Sequence, residues 1–449
     1  MPTPRVTPTG VVTTSPSPRI SPTPVVTPTP VITPSPVITP SPMPTLSGPS
    51  ASIRLFQVFD FALSPDQAAA AGPRYELVWG AGISDGNLPQ AWRSRHDSLL
   101  ASRYFIMEQS DPSHPLAWYQ ANHPDWILYN CTSNGDPTQI PAYMQGGAYG
   151  KNAPLDIHNP AVIDFQVRAL AIPPAVAAHQ NALAVDQVVF SNLMGGNAGQ
   201  GSYGCGVYQG GTFVRRYTSR GDSAWASDTV NWIRTAKSIL AGEAHHLKMV
   251  VNHPAGSTSN GNEQNLLANV DAAMSEVGFV DYGGYKNPSD AGLFKRALNY
   301  MAYTQSHGVT SLLIDKFVQS SPVSSTQLEY ALATYLMGNN GNALLYVTSG
   351  GYGSGGYGRE HYFPEYQTNI GAPCGSYYGD STSPHIFYRK YFNGLAVVNS
   401  GSLPVPYELA TLPAGRTYRD IEGRAVSNPL AVASNDAYVL LTSPGAGCQ

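Results

Sequence analysis

The run Val270-Asp271-Ala272-Ala273-Met274-Ser275-Glu276-Val277-Gly278-Phe279 is apolar up to a closing carboxylate and passes directly into small and aromatic residues. A short apolar run bounded in this way predicts a buried strand. Glu276, at its end, falls where a parallel α/β sheet places its active site, and is the leading catalytic candidate. Seven further runs of the same kind accompany it: Arg54–Asp60, Tyr75–Trp79, Arg103–Glu108, Asp186–Asn192, Leu247–His253, Ser311–Asp315 and Ala343–Thr348.

Between these runs lie stretches of helical character: Ser64–Ala71, Leu88–Ala101, Pro160–Gln180, Asp222–Leu240, Gln264–Asn269, Ser289–Ser306 and Thr326–Met337. Ser64-Pro65-Asp66-Gln67 carries a capping signal, with Pro at the first helical position and Gln at the third. Eight strands alternating with helices predict parallel βα units closed into a (β/α)8 TIM-type barrel. An open doubly wound sheet would show a Gly-x-Gly-x-x-Gly turn after its first strand. Here that strand runs into Phe61-Ala62-Leu63-Ser64. The long connection from Glu108 to Asp186 holds an apolar run of its own, Trp126–Asn130, read as an excursion over the barrel mouth.

In a barrel the C-terminal strand ends converge on one face. Applied to the eight runs, that rule collects Asp60, Trp79, Glu108, Asn192, His253, Glu276, Asp315 and Thr348. Four are carboxylates, from only 29 acidic residues in the chain. Paired carboxylates with aromatic neighbours are what glycosidic bond cleavage uses: one acid protonates the leaving oxygen, and the other attacks the anomeric carbon or activates water. Glu276 is therefore expected to be acid or nucleophile, with Glu108, Asp60 and Asp315 as candidate partners. Trp79, Asn192, His253, Phe279, Tyr282 and Tyr352 are expected to bind substrate. Asp186, opening its run, is assigned a structural role, as are Asp156 and Asp271. No His-Glu-x-x-His motif is present. A zinc deacetylase-like site using Asp60 and His253 is the weaker enzymatic alternative, and no metal or cofactor is expected.

Residues 1–50 repeat Pro with Thr, Ser and Val, which prevents helix or sheet interior and predicts an extended spacer. Such spacers tether secreted domains to surfaces or to other modules, and a PxxP-type interaction role is compatible with this. The start of the chain lacks the charged segment and apolar core of a signal peptide. A barrel over 51–384 and a C-terminal β-domain over 385–449, of β-sandwich type, complete the expected organisation; the Gly/Tyr-rich Ser349–Gly358 is read as a lid. A formal net charge of −4 with charged residues at 12% provides no basic field for nucleic acid. No apolar stretch approaches the roughly 20 residues of a membrane span. Cys131, Cys205, Cys374 and Cys448 form no CxxC motif and predict one or two disulfides in an exported protein, with three full pairings open.

The segments Trp126-Ile127-Leu128-Tyr129, Asp156-Ile157-His158-Asn159-Pro160-Ala161-Val162, Val185-Asp186-Gln187-Val188, Cys205-Gly206-Val207-Tyr208, Val270–Phe279 and Tyr391–Asn399 resemble the hypothetical glycoside hydrolase-like family fifteen, related to the endo-α-galactosaminidase-like group. The resemblance covers roughly residues 53–445. It implies a barrel with a C-terminal β-domain acting on polysaccharide. In related groups the fourth strand reads Asp-Gly-x-x-x-Asp, its second Asp a catalytic candidate. Ser191-Asn192 stands at the corresponding end here, which implies either another partner for Glu276 or a glycan-binding protein without catalysis.

Overall fold

A computed structural model describes residues 53–442 and 447–448, except 148–149, 197–200, 283, 286–290, 318–321, 350–355, 380–382 and 411–416. The Pro/Thr-rich tract and Tyr352 lie outside the described residues. The architecture is an eight-stranded parallel barrel: β1 (Phe56–Val58), β2 (Leu77–Trp79), β3 (Leu100–Ile106), β4 (Ala182–Asp186), β5 (Lys248–Asn252), β6 (Ala272–Ser275), β7 (Thr310–Lys316) and β8 (Ala343–Thr348), paired in chain order. Among the described residues a single parallel bridge, Leu55 to Leu345, closes the ring between β8 and β1.

Alternation along each strand decides what fills the ring and what meets the helices. Phe56, Val58, Leu77, Trp79, Ala182, Ala184, Val250, Ala272, Met274, Leu312, Ile314, Leu344 and Tyr346 form one buried cluster inside the barrel. Residues of the opposite parity, such as Leu183, Val185, Met249, Val251 and Ala273, pack outward in a separate cluster with Trp225, Trp232 and Ile233 of the helix Ser223–Gly242. Leu313, Leu345 and Val347 do the same against Leu328, Leu332 and Leu336.

The helices begin where their caps dictate. Ser64 accepts the Gln67 N–H and the Gln67 side chain reaches back to the Ser64 N–H, starting Pro65–Ala71. Asp222 caps Ser223–Gly242 in the same region of the chain as expected. Two boundaries differ from the sequence expectation. The helix at Leu88 stops at Arg93, and β3 begins at Leu100. β4 covers Ala182–Asp186, so Asp186 ends a strand that its apolar continuation Val188-Val189-Phe190 made it seem to begin.

The β3-to-β4 connection is an excursion. Tyr129–Cys131 pairs antiparallel with Pro137–Pro141 and with Tyr203–Gln209, which continues to Thr212–Arg215. A disulfide, Cys131–Cys205, joins the β3-to-β4 connection to the β4-to-β5 connection. The C-terminal region holds a five-stranded antiparallel sheet built on Ile386–Tyr391, Gly394–Asn399 and Asp436–Thr442. Arg389 reaches from it to the carbonyls of Leu336, Met337 and Asn339, satisfying carbonyl groups at the buried C-terminal end of the helix Ser325–Gly338. Cys374–Cys448 is the second disulfide. No described helix is long and apolar enough to cross a membrane.

Candidate active site

Extending the interior parity by one step beyond the packed cluster brings Asp186, Asn252, Glu276 and Lys316 together at the C-terminal ends of β4, β5, β6 and β7. Asn252 links the two acids. Its Nδ2 donates to Asp186 Oδ1 at 2.8 Å and to Glu276 Oε2 at 3.0 Å. The two oxygens sharing the amide are thus at most 5.8 Å apart, the sum of those bonds.

Asp186 is pinned by two more donors, the Tyr104 hydroxyl on Oδ2 at 2.6 Å and the Gln187 N–H on Oδ1 at 2.8 Å. Burial pushes its carboxyl above the ordinary range; the Tyr104 hydroxyl, the Asn252 amide and the Gln187 N–H pull the other way, and the Glu276 charge adds to the rise. Glu276 is more open, with its side chain 38% exposed. Its Oε1 accepts the Tyr357 hydroxyl at 3.0 Å and lies 3.6 Å from Lys316 Nζ. Lys316, 3% exposed, ion-pairs with Asp281 at 2.9 Å and sits 4.6 Å from the centre of the Tyr282 ring.

Backbone strain gathers at this face. Phe59, Gln187 and Tyr282, which follow β1, β4 and β6, hold φ at 56°, 60° and 49°. Such conformations cost bulky residues about 1–3 kcal/mol and concentrate at functional sites.

The other sequence candidates are distributed as follows. Glu108 is fully buried just beyond β3, and neither carboxylate oxygen has a described hydrogen-bond partner; burial, then the charge of Asp186, pushes it well above the usual range. Asp60 accepts the Gly82 N–H and the Trp92 indole, and burial pushes it up to about 6. Asp315 accepts the Phe279 and Val280 N–H groups, so it shapes the turn after Glu276. His253 is clamped between the Val188 carbonyl and Glu263. Asn192 is buried, bonded to the Gly204 carbonyl and the Met194 N–H. Trp79 lies in the barrel interior and Phe279 packs on Phe294. Tyr282 is 46% exposed beside Lys316. Asp156 and Asp271 are engaged away from the pair, by Arg216 and by Lys237 and Lys248.

No family model matches the chain, and no curated protein does. Among solved structures, the GH36 α-galactosidase AgaA from Geobacillus stearothermophilus overlaps 87% of this chain at 11% identity, with a TM-score of 0.43. AgaB from the same organism overlaps 88% at 10% identity and 0.43. The chain spans 56% of the length of each. An α-galactosidase from Saccharomyces cerevisiae overlaps 85% of both chains at 10% identity and 0.40.

Asp186, Asn252, Lys316, Tyr104 and Tyr357 complete the cluster around Glu276. The first three were readable in principle, since each continues the every-second-residue pattern Ala182-Ala184, Val250 and Leu312-Ile314. His253 and Asp315 stand one position off that pattern, on the side facing the helices. Tyr357 falls in the Gly/Tyr-rich Ser349–Gly358 stretch, whose aromatics were expected near the mouth, whereas Tyr104 carries no comparable sequence signal, because what places it is the closure of the ring.

Proposed function

We propose that the protein is a secreted or surface-held glycoside hydrolase that cleaves a polysaccharide with retention, Asp186 acting as nucleophile and Glu276 as general acid and base. The observation that carries this is the Asn252 amide bridging both carboxylates at the mouth. Retaining enzymes hold their carboxyl groups about 5–5.5 Å apart and inverting ones about 6.5–9.5 Å, and the 5.8 Å limit favours retention. This activity is the one implied by the resemblance to glycoside hydrolase-like family fifteen, and Asp186 offers the second carboxylate that Asn192 could not.

The roles follow from surroundings. Asp186 is immobilised by three donors, which suit an anion aimed at the anomeric carbon. Glu276 reaches solvent, as a group must that gives its proton to the leaving oxygen and then takes one from water. In the first step the Asp186 oxygen bonds to the anomeric carbon as the glycosidic oxygen leaves with the Glu276 proton. In the second, Glu276 deprotonates a water whose oxygen displaces Asp186, restoring both acids. Lys316 lies where it steadies the Glu276 anion between the steps, and Tyr282 offers a ring face to a sugar. Two disulfides suit an oxidising compartment, and residues 1–50 suit a tether to the barrel of 51–384 and the β-domain of 385–449.

A glycan-degradation screen of wild type beside Asp186→Asn and Glu276→Gln tests the proposal. Each substitution is expected to lower kcat by at least about 10²–10⁴-fold. Azide added to Asp186→Ala with an activated aryl glycoside is expected to yield a glycosyl azide of inverted configuration. Full activity in folded Glu276→Gln would refute the assignment. The alternative, a glycan-binding protein without catalysis, drew its support from Asn192 in place of an acid at the end of the fourth strand; Asp186 at that end removes the support.

A further inference from the structure

The ladder between β4 and β5 ends at Val185 and Val251, one residue short of both Asp186 and Asn252. Beyond it the chain turns at Gln187 with φ at 60°, a conformation that persists only where its surroundings hold it. Two bonds on Val188 do so. Its N–H donates to the Asn252 carbonyl at 3.2 Å, and its carbonyl accepts from Nδ1 of His253. A carbonyl oxygen only accepts, so Nδ1 carries the hydrogen. The backbone N–H of His253 donates to the Met274 carbonyl at 2.9 Å, two residues before Glu276. His253 thus ties together the ends of the three strands that lead to Asp186, Asn252 and Glu276.

The ring is itself held. Nε2 lies 3.0 Å from both oxygens of Glu263, on the helix Gly261–Leu267, and the Phe190 ring meets the imidazole edge-on at 5.0 Å. The side chains of His253 and Glu263 are each 2% exposed, so neither meets a glycan. Gly256 closes over the pair, since a Cβ there would stand 2.0 Å from Glu263 Oε2. An apolar side chain at position 253 would fill the same space without requiring a buried carboxyl partner. What it would not supply is the donor to Val188.

We infer that His253, steadied by Glu263, is a positioning residue for the hydrolytic reaction: its ring fixes Val188, and through it sets Asp186 against the Asn252 amide. The inference rests on the glycosidase proposal and adds to it the group that places the nucleophile.

The test is steady-state kinetics of the full-length chain on whichever of the cello-, chito-, galacto- and galactosamino-oligosaccharides wild type cleaves. His253→Asn can present its amide nitrogen in the place of Nδ1, and should keep kcat within roughly threefold of wild type. His253→Gln reaches Glu263 but offers no donor to Val188, and should lower kcat about 10–100-fold with KM unchanged. A purely structural role orders the two variants the other way, because His253→Asn leaves Glu263 buried without a partner and should melt at the lower temperature. In an Asn252→Ala background His253→Gln should cost no further kcat, since the contact it sets is already gone. Where a variant at 253 does not fold, Glu263→Gln and Glu263→Met give the same comparison from the other side of the ring, the first keeping kcat and the second lowering it about tenfold. Equal kcat within either pair, or a loss that adds in full to that of Asn252→Ala, overturns the positioning role and leaves the glycosidase proposal standing. Failure of wild type to cleave any series overturns the glycosidase proposal and the positioning role with it.

Discussion

Asn252 is the residue on which the two acids depend, because one amide group fixes the position of both. Removing a hydrogen bond to a charged group costs about 1.5–3 kcal/mol, so Asn252→Ala should reduce kcat/KM about 10–100-fold with the carboxylates themselves intact. Steady-state kinetics on the glycan found by screening would show it, and an unchanged kcat/KM would mean the bridge is incidental. Asp60 makes a different prediction, about stability. Its carboxyl is raised from 3.8 to about 6 by burial, so the folded state binds its proton more tightly than the unfolded state. The resulting contribution is fully present below pH 3.8 and is lost as pH rises through about 6. That displacement corresponds to roughly 3 kcal/mol. Asp60→Asn, which has no charge to bury, should lessen the fall in unfolding free energy between pH 4 and 7 by about this amount in denaturant titrations. An identical fall in the variant would show that Asp60 does not titrate there.

Element by element, the chain announces more of its fold than of its candidate site. Capping at Ser64 and the apolar strand runs are local signals, legible because they depend on neighbours within a few residues. Glu276 and the exposed ring of Tyr282 were legible for the same reason. Asp186 was obscured by Val188-Val189-Phe190, an apolar extension that lies outside β4 and whose Val188 and Phe190 join the outer packing, so the strand end was displaced by several residues in the sequence. Where a strand stops is set by the backbone turning at Gln187 with positive φ, a tertiary outcome that side-chain hydrophobicity does not report. The sheet formed by Tyr129–Cys131, Pro137–Pro141 and Tyr203–Arg215 leans on its disulfide, which closes a separation of 74 residues. Replacing both Cys131 and Cys205 by Ser should cost about 2–4 kcal/mol, measured as a lower unfolding midpoint relative to oxidised wild type. An unchanged midpoint would place the stability of this excursion wholly in its packing.

At the scale of the molecule, the count of eight strands was legible because most of them, such as Ala182–Asp186 and Ala343–Thr348, are buried on both faces and read as apolar runs. Removing residues 1–50 should leave glycan cleavage in solution unchanged while abolishing retention on the cell surface, measured by comparing soluble and cell-bound activity of the two forms; lost catalysis would assign the tract to the active domain. The closure of the barrel has a consequence of its own. Between β4 and β7 the strands share registers of three or four residue pairs, whereas among the described residues β8 and β1 meet through the single Leu55–Leu345 bridge. Local opening follows the line of fewest shared backbone bonds. Amide protons of Phe56, Gln57 and Val58 should therefore exchange with deuterium ahead of those in β4 to β7, making this join a seam along which the ring parts while the acid-bearing arc from Asp186 to Lys316 stays shut.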